Sequence, residues 1–200
     1  ETEARRLAER CQGEKAVIVK VEKKQKKTMP PKLYDLTTLQ REANRFFGYT
    51  AQETLQELQE LYEDKLVTYP RTDSQYITED MEQSTMELLE VLPEILPFLE
   101  GNMGYDVGRI INNDKVSDHH ALLPTKESVK KGFSQLTEKQ RNLYCMIGQR
   151  LAQAVSKECT YEETQITVQC AGHEFMAKGK RMTEPGFWKI ATGFRASLKK

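Results

Sequence analysis

Residues 36–69 read LTTLQREANRFFGYTAQETLQELQELYEDKLVTY, and their pattern predicts two helices followed by a strand. Thr37 with Gln40, and Thr50 with Glu53, each fit the capping box that begins a helix. Apolar residues recur at helical spacing after each box, and a short turn containing glycine separates the two runs. The last four residues, Leu-Val-Thr-Tyr, favour a strand. This helix–helix–strand order is typical of a winged-helix subdomain.

The chain on either side of this stretch contains both β-type and helical periodicity. Ala16–Val21 is a short β-rich run, and a lysine-rich segment with a Pro-Pro pair then ends it. A third capping box, Thr137 with Gln140, begins a long helix. From Tyr161 polar and apolar residues alternate as in a strand, and Gly186–Trp188 predicts a further strand.

These patterns predict an α+β fold, in which a helical domain with a winged-helix-like core is inserted into a β-rich arch domain. The helical domain covers residues 34–159. The arch comprises two segments, residues 1–33 and 160–200. The chain begins with Glu1, within what reads as a helix already under way. We therefore expect it to be an internal fragment of a longer protein.

The charge balance argues against a uniformly basic surface. The 200 residues carry 30 basic and 30 acidic side chains, whereas non-specific nucleic-acid binders are usually basic because phosphate contacts dominate their affinity. Contact with DNA would need local patches or other parts of a longer protein. The four cysteines form no CxxC pair, which argues against a zinc site and suits a reducing compartment. No apolar run reaches the roughly 18 residues of a membrane span, so we expect no membrane partner.

The segment 68–74, TYPRTDS, places a tyrosine beside residues that can bind phosphate. Pro70 pushes the preceding Tyr69 towards extended geometry, so the phenol is expected at a strand end beside a turn. A phenol with a reference pKa near ~10 is a weak nucleophile unless its neighbours help it. Arg71 can hold a phosphate through two parallel N–H donors. Three further residues can hydrogen-bond the neighbouring backbone: Thr72, Asp73 and Ser74. The alternative is a structural tyrosine packed at a strand end.

A second polar cluster, residues 117–125, reads SDHHALLPT and contains two of the three histidines. An imidazole can exchange a proton with a phosphate oxygen near neutral pH, which makes His119 and His120 candidate site residues. Two alternatives remain open. The histidines can make ordinary loop hydrogen bonds, or Asp118 and the two histidines can belong to a metal-dependent phosphoesterase, although the Asp-x-Asp pair of that class is absent. The third, His173, lies in an alternating strand and fits a surface position.

The two clusters together resemble the type IA DNA topoisomerases, specifically the topoisomerase III branch. VTYPRTDS is preceded by PPKLYDLTTLQREANRFFGYTAQETLQELQELYEDK and is followed, about 45 residues later, by DHHALLPT. The match runs from about Pro30 to Thr125 and continues more loosely through the 138–157 helix into the terminal strands. Both motifs in this order and at this spacing carry the resemblance.

The resemblance implies a reaction and roles for particular residues. In this family the tyrosine that matches Tyr69 attacks one DNA strand and forms a reversible covalent link to its 5′ phosphate. Another strand passes through the break before religation. Arg71 matches the arginine that holds the scissile phosphate, and His119 matches a histidine linked to protonation and DNA binding. The candidate DNA-binding residues are Thr72, Asp73, Ser74, His120 and Thr125, with His120 typical of the topoisomerase III branch.

The same resemblance implies a cofactor and a cellular context. We expect a bacterial, cytoplasmic, nucleoid-associated monomer whose partner is single-stranded DNA. The full-length enzyme would need Mg²⁺, which the family holds in an acidic Toprim domain near its N-terminus. The present 200 residues contain no such stretch, and the domain that grips single-stranded DNA is mostly absent from them. We therefore expect no metal site in this fragment and no relaxation of supercoiled DNA by the fragment alone.

Two other interpretations give the same residues different roles. A non-enzymatic winged-helix module would bind DNA without a reactive tyrosine. A tyrosine recombinase also uses a phenol, but it forms its link at a 3′ phosphate and needs a dispersed set of arginines and histidines.

Overall fold

The computed structural model describes residues 2–99, 101 and 104–197, which combine helices with a small antiparallel sheet. This confirms the predicted α+β class. The chain divides into two compact units: unit 1 comprises the described residues of Glu1–Thr28 and Cys159–Pro185, and unit 2 those of Met29–Glu158 and Gly186–Lys200. The winged-helix core, the insertion of one domain into the other and the domain boundaries given above stay predictions.

Unit 1 is built on a three-stranded antiparallel sheet with the strand order β1-β2-β3. Its elements are α1 Thr2–Cys11, β1 Val17–Thr28, β2 Cys159–Cys170 and β3 His173–Glu184. Ile166 in the central strand pairs with Val21 on one side and with Ala177 on the other. The alternating pattern that begins near Tyr161 therefore predicted a strand correctly.

The lysine-rich segment after Val21 continues strand β1. Its side chains face acidic residues of β2, since the ammonium nitrogen of Lys26 lies 2.5 Å from a carboxylate oxygen of Glu163. Strands β2 and β3 are joined at Ala171 and Gly172, both of which have positive φ (50° and 76°). Such a pair fits a two-residue hairpin turn whose twist matches that of the flanking strands.

Unit 2 consists of helices packed around one apolar core. Its α-helices are α2 Leu36–Phe47, α3 Ala51–Glu63, α4 Glu82–Val91, α5 Lys126–Lys131, α6 Glu138–Ala154 and α7 Trp188–Ser197. Short 3₁₀ turns cover Glu79–Met81, Leu92–Glu94, Pro97–Leu99, Val107–Ile110 and Asn113–Lys115. The apolar stripes of α2, α3 and α6 meet in the core, where Leu39, Leu58 and Leu143 are fully buried. None of the described helices is both long and apolar enough to cross a membrane.

Two of the three predicted capping boxes are confirmed. At the start of α3 the Thr50 hydroxyl accepts a hydrogen bond from the Glu53 amide at 3.1 Å, and the Glu53 carboxylate accepts one from the Thr50 amide at 2.8 Å. Thr137 and Gln140 form the same pair of bonds at the start of α6. Each box satisfies amide groups that the first helical turn leaves without partners.

The predicted box at Thr37 is wrong by two residues. Helix α2 begins at Leu36, and its cap is Asp35, whose carboxylate accepts a hydrogen bond from the Thr38 amide at 2.6 Å. Thr37 instead lies in the first turn. Aspartate is as good a capping residue as threonine, and its charge also suits the positive end of the helix dipole.

Two predicted strands are also corrected. Leu66–Tyr69 forms only an isolated bridge, between Val67 and Pro124. The Leu123 amide, which would continue a ladder, donates to the Thr68 hydroxyl instead of a backbone carbonyl. Gly186–Trp188 forms no strand, since Trp188 is the first residue of α7. That helix buries Ile190 and Phe194 in the core of unit 2.

Gly186 offers a test of how α7 is attached. Its φ is +48°, and a Cβ atom at this position would lie 2.3 Å from the carbonyl oxygen of Glu158. Gly48, at the end of α2, also has positive φ but has open space around its Cβ position. We expect Gly48→Ala to cost on the order of 1–2 kcal/mol through its left-handed conformation alone, and Gly186→Ala to cost clearly more. Urea denaturation of the two variants measures the difference, and equal losses would contradict the close backbone contact.

Candidate functional site

Tyr69 lies half-buried beside two other ring side chains. Its ring centroid is 4.2 Å from that of His119, with 39° between the ring planes, and 5.4 Å from that of Tyr62 at 80°. The phenol oxygen makes no hydrogen bond to another residue in the described part of the chain. The structure thus brings together two predicted site residues from separate motifs and leaves the phenol oxygen available to a ligand.

Two chain segments, 66–76 and 115–125, hold these rings side by side. The Thr68 amide donates to the carbonyl oxygen of Leu123 at 3.0 Å, and the Leu123 amide donates to the Thr68 hydroxyl at 2.9 Å. The Thr125 amide donates to the Leu66 carbonyl at 3.0 Å. The Thr68 hydroxyl takes the place of a backbone carbonyl as the acceptor. The two segments are therefore hydrogen-bonded to each other right up to Tyr69, although they form no regular strand.

Thr72 fixes the turn after Tyr69 to the histidine loop. Its side chain is buried, and its hydroxyl donates to the carbonyl oxygen of His119 at 3.0 Å while accepting from the Ser74 amide at 3.1 Å. The Thr72 carbonyl also accepts a hydrogen bond from the Leu36 amide at the start of α2, at 3.0 Å. Through its hydroxyl and its carbonyl oxygen, Thr72 therefore connects the turn, the histidine backbone and the first helix of unit 2.

Ser74 makes a second connection of the same kind. Its buried hydroxyl donates to the carbonyl oxygen of Lys115 at 2.8 Å and accepts from the Tyr76 amide at 3.1 Å. The hydroxyls of Thr72 and Ser74 are thus already used inside the protein. This geometry gives both residues a positioning role, and their predicted contact with DNA stays a prediction.

Arg71 and Asp73 alternate with these buried residues and point into solvent. Neither makes an ion pair with another residue in the described ranges. Pro70, between Tyr69 and Arg71, is buried and anchors the turn. The guanidinium of Arg71 is therefore free to bind an anion two residues from the phenol.

His120 and Thr125 occupy different settings within the histidine loop. The Nδ1 atom of His120 lies 2.8 Å from the Ala121 carbonyl oxygen, so this nitrogen must carry the proton if the contact is a hydrogen bond. The Thr125 hydroxyl donates to the carbonyl oxygen of Lys65. The ring of His119 is the more exposed of the two histidine rings, and it is the one in contact with Tyr69.

Gln75 attaches the same turn to the cap of α2. Its side-chain amide donates to the Asp35 carboxylate at 2.8 Å and to the Thr38 hydroxyl at 3.2 Å. Asp35 already caps the helix through the Thr38 amide. Movement of the turn would therefore disturb the start of α2.

An ion pair between the buried Arg150 and the half-buried Glu42 connects α2 with α6. The Arg150 guanidinium donates to Glu42 at 2.6 Å and to the Tyr34 hydroxyl at 2.9 Å, and its carbon lies 3.9 Å from the Tyr34 ring centroid. Arg150 also donates to the Lys32 carbonyl at 3.2 Å. Burial raises the pKa of Tyr34 well above its ordinary value, so the phenol stays protonated and donates to Glu42 at 2.6 Å. This network holds the segment 32–34 against the helical core.

Several of these contacts have no signal in the sequence. Tyr62 reads as one more apolar residue of α3, yet its ring is 39% exposed and packs edge-on against Tyr69. The partners of Gln75 and of Arg150 are 37 to 118 residues away along the chain. No local pattern indicates such contacts.

No group of three or more histidine, cysteine, aspartate or glutamate side chains among the described residues could hold a metal ion. The side chains of the predicted site supply a phenol, an imidazole and a guanidinium. These groups can attack, exchange a proton and bind a phosphate, respectively.

A family model described as DNA topoisomerase matches residues 1–199. The chain belongs to the DNA topoisomerase family. It is 40% identical over 196 residues to DNA topoisomerase 3 of Bacillus subtilis (92% of this chain, 26% of that protein) and 42% identical over 195 residues to DNA topoisomerase 3 of Bacillus licheniformis (94% and 26%). The predicted relation to the type IA enzymes and their topoisomerase III branch is confirmed. The chain spans about a quarter of the length of these relatives.

The fold of this topoisomerase chain also occurs in a solved structure. Full-length topoisomerase I from Thermotoga maritima superimposes with a TM-score of 0.71 over 94% of this chain and 31% of the other, at 24% identity. At that identity the similarity concerns the fold alone.

Thr72 can be tested as the residue that positions the site. Thr72→Val keeps the shape of the side chain but leaves the Ser74 amide and the His119 carbonyl without their shared partner. We expect a loss of about 1–3 kcal/mol in the free energy of unfolding, as for other buried groups left without hydrogen bonds. Thr37→Val, on the exposed first turn of α2, is the matched control. Urea denaturation of the topoisomerase chain measures both, and equal stability of the two variants would contradict this role.

Proposed function

We propose that this chain carries the tyrosine half of a type IA topoisomerase active site. The Tyr69 oxygen forms a bond to the phosphorus of one DNA strand, and the bond from phosphorus to the 3′ oxygen breaks. The phenol loses its proton and the 3′ oxygen gains one. The product is a 5′-phosphotyrosyl link with a free 3′ hydroxyl, and the reverse reaction reseals the strand after another strand has passed.

The contact between Tyr69 and His119 carries this proposal. The two rings lie 4.2 Å apart between centroids, although their motifs are far apart in sequence. An imidazole at this distance can exchange protons with the reacting oxygens, directly or through water. The hydroxyl of Tyr69 also makes no hydrogen bond to another described residue, which leaves it available to a DNA phosphate.

Arg71 supplies the charge that the reaction needs. Phosphoryl transfer places negative charge on the phosphate oxygens, and a guanidinium can bind two of them through parallel donors. Arg71 is exposed beside Tyr69. Asp73, His120 and Thr125 would contact flanking parts of the DNA, whereas Thr72 and Ser74 would hold the turn in place.

The whole protein would complete the site. The Mg²⁺ ion that this family uses would be held outside the residues described here, which form no metal-binding group, so no step in this chain is assigned to the metal. The partner is single-stranded DNA, and the protein would act as a cytoplasmic, nucleoid-associated monomer. The runner-up is a winged-helix module that binds DNA without cutting it.

Tyr69→Phe in the full-length protein tests the nucleophile. This change removes only the phenol oxygen, so we expect cleavage and covalent adduct formation to disappear while folding is retained. The measurement is a denaturing gel of a short labelled DNA strand incubated with enzyme and Mg²⁺, with Tyr62→Phe as the control variant. An adduct formed by Tyr69→Phe would overturn the proposal, and a link to a 3′ phosphate would favour a recombinase.

His119→Ala in the same protein tests proton exchange. General acid–base catalysis contributes about 10²–10⁴-fold to rates, so we expect the rate of cleavage to fall by that order. His173→Ala, on strand β3 of unit 1, should cleave at the normal rate. Single-turnover kinetics with excess enzyme separate this loss from weaker DNA binding. An unchanged rate would leave His119 without a catalytic role.

A further inference from the structure

Two lysines flank the ring of Tyr76, seven residues after Tyr69. The ammonium nitrogens of Lys32 and Lys115 each lie 5.2 Å from the centre of this ring. Both lysines are exposed, and neither makes an ion pair with a carboxylate among the residues that the structure describes. We call these three residues the Tyr76 cluster. The two ammonium groups lie near the same aromatic ring and have no acidic partner among the described residues. A bound anion would therefore offset the repulsion between them.

The backbone of each cluster member is fixed by the contacts that build the candidate site. The Lys115 carbonyl accepts from the Ser74 hydroxyl at 2.8 Å, and the Tyr76 carbonyl accepts from the Ala121 amide at 2.9 Å. The Lys32 carbonyl accepts from the buried Arg150 at 3.2 Å. Fixed attachment points reduce the entropy lost when a ligand binds. Tyr76 and Lys115 are therefore positioned by the same two segments that position Tyr69 and His119, whereas Lys32 is positioned by α6 through Arg150.

A cleft of about 210 Å³ lies beside the cluster. Its polar lining includes Lys32, Gln75 and Tyr76, and its apolar lining comprises Met29, Pro30, Pro31, Ile110 and Ala154. Its other cation, Arg109, is engaged with Asp106 and Glu158 at 3.1 and 3.4 Å. An apolar recess next to cations that lack a carboxylate partner among the described residues suits a ligand with an anionic group attached to a flat apolar one.

We propose that the Tyr76 cluster binds a phosphate of the DNA strand that Tyr69 attacks, with the base of the adjoining nucleotide in the cleft. The proposal rests on the proposed function for the identity of the strand. Seven residues of extended chain reach at most about 25 Å, so one short oligonucleotide can contact both Tyr69 and the cluster. A free phosphate ion would use the lysines but not the apolar cleft.

The electrostatics of Tyr76 agree with an anion site. Hydrogen bonding and the positive charge of Lys32, together with the charge of Lys115, lower the pKa of the Tyr76 phenol below its ordinary value. A phenol with a lowered pKa is a better hydrogen-bond donor to phosphate oxygens. Burial works in the opposite direction and is outweighed here.

The salt dependence of DNA binding tests the phosphate contact. The full-length protein carrying Tyr69→Phe, which should not cleave, is titrated with a fluorescent single-stranded oligonucleotide at several salt concentrations. Each phosphate contact contributes about 0.7 to the slope of log K against log salt for single strands. Because the cluster is proposed to bind one phosphate, we expect Lys32→Gln with Lys115→Gln to reduce the magnitude of this slope by about 0.7. Lys130→Gln with Lys189→Gln, two exposed lysines of unit 2, should leave it unchanged.

Modified oligonucleotides locate the contact along the strand. A neutral methylphosphonate linkage, moved one position at a time, should weaken binding at one or two positions in the protein that keeps both lysines, and at none of these in the double-lysine variant. An abasic nucleotide next to that linkage should also weaken binding, because the cleft then loses its base. Equal sensitivity of both proteins at every linkage would overturn the proposal, and so would a slope that both lysine pairs change equally.

Failure of this proposal can be told apart from failure of the proposed function. If Tyr69→Phe still forms covalent adducts, the nucleophile is misassigned, yet the slope and linkage scan still report on the cluster. If Tyr69→Phe abolishes adducts and the lysine pair changes nothing, the cluster is not a DNA site. Circular dichroism and melting temperature of each lysine variant show that it is folded.

Discussion

The hydrogen bonds between segments 66–76 and 115–125 are the constraint on which the candidate site depends. Tyr69 and His119 belong to different loops, and neither lies in a regular strand or helix. Their contact exists because the hydroxyls of Thr68, Thr72 and Ser74 take the place of missing backbone partners. A loop carrying an imidazole is thereby held against a loop carrying a phenol with few degrees of freedom, as a reactive pair requires.

The helices of unit 2 hold the segment 66–76 in place. Leu36, at the start of α2, donates its amide to Thr72, and Gln75 binds the cap of the same helix. The buried Arg150 then pairs with the half-buried Glu42 and so connects α2 with α6. Pairs of this kind add little net stability, but removal of one partner is costly because a buried charge is left alone. Their contribution here is to specify one position for the chain that leads into the site.

Much of the fold could be predicted from sequence because its signals are local. Thr50 with Glu53, and Thr137 with Gln140, mark helix starts by interactions three residues long, and the alternation after Tyr161 marks a strand by period two. Prediction failed where tertiary contacts decide. The Leu123 amide bonds the Thr68 hydroxyl, so no ladder forms at Leu66–Tyr69, and Ile190 and Phe194 turn the end of the described chain into a core helix. The cap of α2 was a local error, since Asp35 rather than Thr37 accepts the bond there.

The candidate site, like the fold, could be predicted from the sequence only in part. The residue types and their spacing carry the resemblance to the family, and that resemblance predicts Tyr69 and His119 as site residues. The sequence did not show that Thr72 and Ser74 bury their hydroxyls, or that Tyr62 contacts the phenol ring. Nor did it place Lys32 and Lys115 about one ring, since these lysines are 83 positions apart in the chain. Such arrangements arise only from the packing of distant segments.

The bond from Thr72 to the His119 carbonyl spans 47 residues, which has a consequence for the order of folding. Closing a loop of that length carries an entropic cost of about 3 kcal/mol before any contact can offset it. Helix α3 and its capping box, by contrast, need only local contacts and can form early. During synthesis Tyr69 would therefore emerge well before His119, and the contact between their rings would be among the last features to form.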